Sequence, residues 1–141
     1  MQFTRREAIA LGAGGLAIAA MPRLAFADAA AVEKAIAAFT GGAAVEEGGI
    51  DLNTPEIAEN GNTVPVEVGA EGASDIMVLA AGNPSPGVAT FHFGPLAGAA
   101  MASTRIRLAQ TQDVVAVARM QDGSFRKASR TVKVTIGGCG G

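Results

Sequence analysis

The chain has 141 residues, 49% of them apolar, with six Phe and no Trp or Tyr, so it can bury one modest core and reads as one domain. A formal net charge of −2 and the lack of any Lys/Arg run exclude a nucleic-acid binder and a protein held to anionic lipid by charge. A single cysteine excludes an internal disulfide, and a single histidine, His92, argues against a metal centre.

Residues 1–27 read as an export leader. Thr4-Arg5-Arg6 precedes an apolar stretch of 14 residues from Ala8 to Met21, and Ala25-Phe26-Ala27 sets small residues where a signal peptidase cuts, after Ala27. The stretch is too short for a bilayer core of about 30 Å, so no membrane anchor is expected. Arg5-Arg6 ahead of a Gly-rich, weakly hydrophobic core looks like a twin-arginine signal, which exports folded proteins; Ala8 stands where a large apolar residue is common, and an ordinary secretory n-region is the alternative. Either route ends in the periplasm of a bacterium. Losing the leader removes Arg5, Arg6, Arg23 and Glu7, which leaves 8 basic and 12 acidic residues in a mildly acidic mature chain.

Residues 28–136 form the expected folded domain. Val32, Ile36 and Phe39 recur at helical spacing, which predicts a helix over 29–39, favoured at its start by Asp28 and stopped by Gly41-Gly42. A helix this short and Ala-rich is marginal alone and must dock on the domain. From Val45 the period changes to that of strands. Glu46-Glu47-Gly48-Gly49 reads as a turn, Ile50-Asp51-Leu52 alternates, and Asn60-Gly61-Asn62 is a turn ahead of a strand over 63–68, placed at a sheet edge because Pro65 cannot donate to a ladder.

The apolar run 75–80 is a strand, followed by a turn at Gly82-Asn83-Pro84-Ser85-Pro86-Gly87. In 88–93, Phe91 and Phe93 share one face and His92 takes the other. In 103–108, Arg105 and Arg107 alternate with Thr104, Ile106 and Leu108, as in a half-exposed strand. The run Val114-Val115-Ala116-Val117-Ala118 suggests a strand covered on both faces, Asp122-Gly123 closes a hairpin, and Arg130, Val132, Val134 and Ile136 line one face of the last strand. About seven short strands with turn signals between them predict an all-β, antiparallel sandwich with a short N-terminal helix.

The last five residues, Gly137-Gly138-Cys139-Gly140-Gly141, hold the one cysteine between four glycines that cannot fix a shape by themselves. They read as a flexible arm that carries a thiol about 10 Å past Ile136 and into another protein's cleft. With no neighbouring Lys, Arg or His, a thiol of ordinary pKa is only about 3% thiolate at pH 7. Cys139 is therefore a poor self-activated nucleophile and a suitable carrier, activated in a partner's pocket. Three other readings compete: a frayed tail; a carrier working through the terminal Gly140-Gly141 carboxylate, which needs ATP that an exported protein lacks; and an adhesion-type sandwich linked through Cys139 by an intermolecular disulfide. No nucleophile elbow, phosphate loop or paired-carboxylate pattern points to an enzyme.

The ending Val-Thr-Ile-Gly-Gly-Cys-Gly-Gly (134–141) resembles SoxY, the sulfur-carrying subunit of the bacterial thiosulfate-oxidising Sox system, as do Pro55–Pro65, Gly82–Phe93, Ser103–Leu108 and Asp122–Phe125. The resemblance implies an immunoglobulin-like sandwich and a carrier rather than an enzyme. It makes Cys139 the covalent attachment point for thiosulfate-derived sulfur, Gly137, Gly138, Gly140 and Gly141 the carrier arm, and the sulfur adduct the only cofactor-like group. It also implies a heterodimer with SoxZ and visits to the Sox c-type cytochromes SoxAX, the sulfate thiohydrolase SoxB and the sulfane dehydrogenase SoxCD.

Overall fold

The computed structural model describes residues 24–137. Arg5, Arg6, Gly138, Cys139, Gly140 and Gly141 therefore lie outside the described residues. Helix α1 (Leu24–Thr40) leads into nine strands: β1 (Val45–Glu47), β2 (Asp51–Asn53), β3 (Ile57–Ala58), β4 (Val64–Gly69), β5 (Ala73–Ala80), β6 (Gly87–His92), β7 (Met101–Ile106), β8 (Gln112–Met120) and β9 (Phe125–Val134). They make two sheets, one in the order β1-β9-β8-β5-β6 with β3 also on β9, the other β2-β4-β7.

The pairings are antiparallel except that β1 and β3 run parallel to β9, at Val45–Glu47 against Phe125–Lys127 and Ile57–Ala58 against Lys133–Val134. Since β8 occupies the other edge of β9, these two short strands share its outer edge. The expected turn at Glu46-Glu47 is thus a strand. Its pairing partner lies about 80 residues away, beyond any local signal, and the turn itself is only Gly48-Gly49, both at positive φ (92° and 76°).

The pattern of β4 explains the core. Val64, Val66 and Val68 are buried and Pro65 and Glu67 exposed, so one face packs inward. These valines meet Ile76 and Val78 of β5, Val114 and Ala116 of β8, and Val132 of β9 between the sheets. Pro65 does not mark an edge strand, since β4 is the middle strand of its sheet. The missing donor is tolerated because β2 pairs only with Glu67–Gly69 and leaves that flank of β4 open at Pro65.

The other faces of β5 and β8 carry Met77, Leu79, Val115 and Val117, and α1 covers them with Val32, Ala35, Ile36 and Phe39. Two strands covered on both sides account for the continuous apolar runs. α1 ends in a Schellman arrangement: Gly41 and Gly42 take φ of 66° and 84°, and the Gly42 N–H donates to the Ala37 carbonyl at 3.2 Å. It begins at Leu24, not 29, so Asp28 lies within the helix rather than ahead of it; Leu24-Ala25-Phe26-Ala27 are good helix formers with nothing to stop them. Among the described residues no helix is long and apolar enough to cross a membrane.

Candidate functional site

The end of β9 positions whatever follows it, and two flanking segments hold it. The Lys133 N–H donates to the Glu56 carbonyl at 2.9 Å, and the Thr135 N–H to the Ala58 carbonyl at 3.1 Å. On the other side, the Val134 N–H donates to Thr111 Oγ1 at 2.9 Å, and that hydroxyl donates to the Val134 carbonyl at 3.4 Å. Past the strand, the Ile136 carbonyl accepts from the Gly61 N–H at 2.8 Å, while the Gly61 carbonyl accepts from the Leu108 N–H at 2.7 Å. The backbone is thus tied to the domain through Ile136. The Ile136 side chain leaves the line of Val132 and Val134 and is 67% exposed, since the strand has ended two residues earlier.

Gly137 is packed as well. A Cβ built on it would stand 2.4 Å from the Ala109 carbonyl oxygen, closer than real Cβ atoms come. Ala109 cannot easily yield, because its N–H donates to Asn83 Oδ1 at 2.9 Å, and Asn83 Nδ2 donates to the Arg107 carbonyl at 2.8 Å. The buried Gln112 completes the network, donating to Asn83 Oδ1 at 2.8 Å and accepting from the Gly82 N–H at 2.8 Å. Gly137, expected to belong wholly to a free arm, instead forms the arm's fixed root, where the need for glycine is one of space. Sequence reasoning passed over Asn83, Thr111 and Gln112, reading Asn83 only as a turn residue. The available signal was a run of amides and hydroxyls, Gln110-Thr111-Gln112, opening an otherwise apolar strand.

The lone histidine serves a different end of the molecule. His92 Nδ1 pairs with Asp75 Oδ1, Asp75 Oδ2 accepts from Ser74 Oγ at 2.7 Å, and Arg119 Nη1 stands 3.6 Å from the same oxygen. Burial pushes the Asp75 carboxyl up, but the Ser74 hydroxyl, His92 and Arg119 together outweigh it and hold the group below the ordinary value of 3.8. Arg119 also lies over the Phe39 ring at 5.0 Å and donates to the Phe39 carbonyl at 2.9 Å, fastening the end of α1. Arg119 is seven residues along β8 from Gln112, about 23 Å at strand rise, so this cluster takes no part at the tail root. Among the described residues no three His, Cys, Asp or Glu side chains converge as metal ligands. Arg105 and Arg107 are exposed, on β7 and on the segment after it.

Two residues beyond that root the sequence places its one cysteine. The model of the sulfur oxidation protein SoxY matches residues 36–139, a span that ends on Cys139. The chain belongs to the SoxY family. The structure of the sulfur carrier protein SoxY from Chlorobium limicola f thiosulfatophilum is 40% identical and superposes with a TM-score of 0.68 over 77% of this chain and 99% of that one. More distant similarities concern the fold alone: a superoxide reductase (neelaredoxin) from Ignicoccus hospitalis at 15% identity (TM-score 0.54, 62% of this chain, 80% of that one) and a putative superoxide reductase from Thermotoga maritima at 14% (TM-score 0.51, 68% and 89%). Among curated proteins none matches. Family and fold both agree with the expected immunoglobulin-like sandwich.

Proposed function

We propose that this chain is the sulfur carrier of a thiosulfate-oxidising system, holding its intermediates on Cys139 and presenting them to partner enzymes. The observation that carries the reading is the junction at the tail: everything through Gly137 is anchored, and the thiol stands two residues beyond it, inside the matched span. A rigid base with a short Gly-flanked arm offers a sulfur atom to a narrow channel while the domain stays outside. Membership of the SoxY family supports the same role and disfavours a disulfide-linked adhesion module.

In this scheme the Cys139 thiolate joins thiosulfate to give Cys–S–S–SO3−, and two electrons leave to a c-type cytochrome such as SoxAX. Hydrolysis by SoxB adds water and releases sulfate, leaving Cys–S–S−. SoxCD then removes six electrons and adds three waters to give Cys–S–SO3−, and a second hydrolysis frees the thiol. The chain supplies attachment and delivery, and the partners supply the chemistry. It pairs with SoxZ and works in the periplasm, exported through Arg5-Arg6 and cut after Ala27. The domain is then residues 28–136 and the arm residues 137–141.

Intact-mass measurement of the exported protein from cells grown with and without thiosulfate tests this. Sulfur or thiosulfonate increments are expected only with thiosulfate and are absent from Cys139→Ser. An adduct that survives in the Ser variant, or a reducible dimer with no adduct, would overturn the reading.

A further inference from the structure

The segment from Arg107 to Thr111 joins β7 to β8 outside either ladder, and two pegs hold it. Leu108 is fully buried, and its N–H donates to the Gly61 carbonyl at 2.7 Å. At the other end the Thr111 hydroxyl is bonded to the Val134 backbone in both directions. Between the pegs lies the Ala109 carbonyl that Gly137 abuts. The pegs alone leave the peptide units between them free to turn about their two soft dihedrals, so something else must set where that carbonyl points.

Asn83 sets it. One amide takes the Ala109 N–H on its oxygen and gives its own N–H to the Arg107 carbonyl, so it grips the segment on both sides of Leu108, while Gln112 Nε2 holds the same oxygen from the start of β8. Asn83 is itself fixed. Its backbone N–H donates to the Ala80 carbonyl at 3.2 Å, and Pro84 behind it disfavours the helical region for its backbone. The corner has no slack beside it either, since a Cβ on Gly82 would stand 2.9 Å from the Gln112 Cβ. Two acceptances and one donation from one short side chain require an amide: Asp has no donor, and a Ser hydroxyl cannot reach both sides. The Asn83-Pro84-Ser85-Pro86 turn thus has a task beyond reversing the chain.

We infer that Asn83 is a positioning residue for sulfur delivery: through the Ala109 carbonyl it fixes the direction in which the chain leaves Gly137, so that the root is already aimed when a partner's cleft arrives. The inference rests on the carrier reading and adds a residue that acts through another. A root free to swivel is correctly aimed for only a fraction of the time, and the apparent affinity for a partner falls by that fraction. Chemistry inside the cleft does not change, because the domain stays outside. Loss of Asn83 therefore raises the KM for the carrier and leaves kcat alone.

The test reconstitutes thiosulfate-dependent cytochrome c reduction from SoxAX, SoxB, SoxCD and the mature carrier paired with SoxZ, with the carrier as the varied component. Asn83→Ala is expected to raise the KM for the carrier about two- to tenfold at unchanged kcat. NMR relaxation should show lower backbone order at Ala109 and Gly137, with the sheet resonances in place. Iodoacetamide should alkylate Cys139 at the wild-type rate, since a small reagent needs no aim. Asp122→Ala is the control: it removes two bonds from Ser124, at 2.8 and 2.6 Å, in the turn beyond the far end of β8, and should leave KM unchanged. Should Asn83→Ala fail to fold, Asn83→Asp keeps both acceptances and loses only the donation to the Arg107 carbonyl; with its charge screened in about 0.5 M salt it should show part of the same rise. An unchanged KM, a rise matched by Asp122→Ala, or undiminished order at Ala109 and Gly137 would overturn the role of Asn83 and leave the carrier reading standing. Turnover with Cys139→Ser at the wild-type rate would strike the carrier reading instead.

Discussion

Replacing Gly137 by Ala isolates the anchoring of the tail root from the backbone freedom of glycine. Gly137 does not have positive φ, so alanine is not strained by its backbone, and what it meets is the Ala109 oxygen at 2.4 Å, a contact that must open to 3.0 Å or more. Two responses compete. Compressing the Asn83–Ala109 network costs about 1–3 kcal/mol as overpacking. Releasing the root costs the hydrogen bond from the Gly61 N–H to the Ile136 carbonyl, about 0.5–1.5 kcal/mol. The second is cheaper, so the tail should lift off at Ile136 while the sandwich stays intact. Amide exchange at Gly61 should then quicken about five- to tenfold, and Tm should fall by about 4–8 °C per kcal/mol at most. Gly87→Ala is the control, since a Cβ there meets nothing within 4 Å. If Gly137→Ala matched Gly87→Ala in both Gly61 exchange and Tm, the root would not be anchored as described.

Leu79 is fully buried beneath α1, so Leu79→Ala should cost about 2–5 kcal/mol in denaturant unfolding and free the helix; a loss below about 1 kcal/mol would mean that α1 does not cover β5. Asp75 should act as an acid-sensitive tie. Its carboxyl is held below its ordinary value in the fold, so its stabilisation is complete above the ordinary 3.8 and is lost as pH falls below that through the folded value. The Tm gap between wild type and Asp75→Asn should be present at pH 5 and close as pH falls below 3.8; a gap that persists unchanged to about pH 2 would show that the charge is not what matters. The thiosulfate-dependent mass of Cys139→Ser completes the set.

Local chemistry determined much of this protein before any tertiary contact. Alternation in Val64-Pro65-Val66-Glu67-Val68, the unbroken run from Val114 to Ala118, the Asp122-Gly123 turn with Gly123 at φ 85°, and the Gly41-Gly42 stop all express backbone preferences or side-chain periods that a few neighbouring residues suffice to set. The thiol between glycines was legible for the same reason. Its meaning depends on the residue types themselves.

Other features depended on distant partners. Val45–Glu47 became a strand because the outer edge of β9 was open to it, and Pro65 sits in a middle strand because β2 stops short. Neither fact is written near those residues. The tail root shows the same dependence: Gly61, Asn83, Ala109 and Gln112 come from three loops and from the start of β8, and only closure of the sandwich gathers them around Ile136 and Gly137. Composition declared that a thiol would be offered on glycines; the root from which it is offered came from packing that joins residues up to about 80 positions apart.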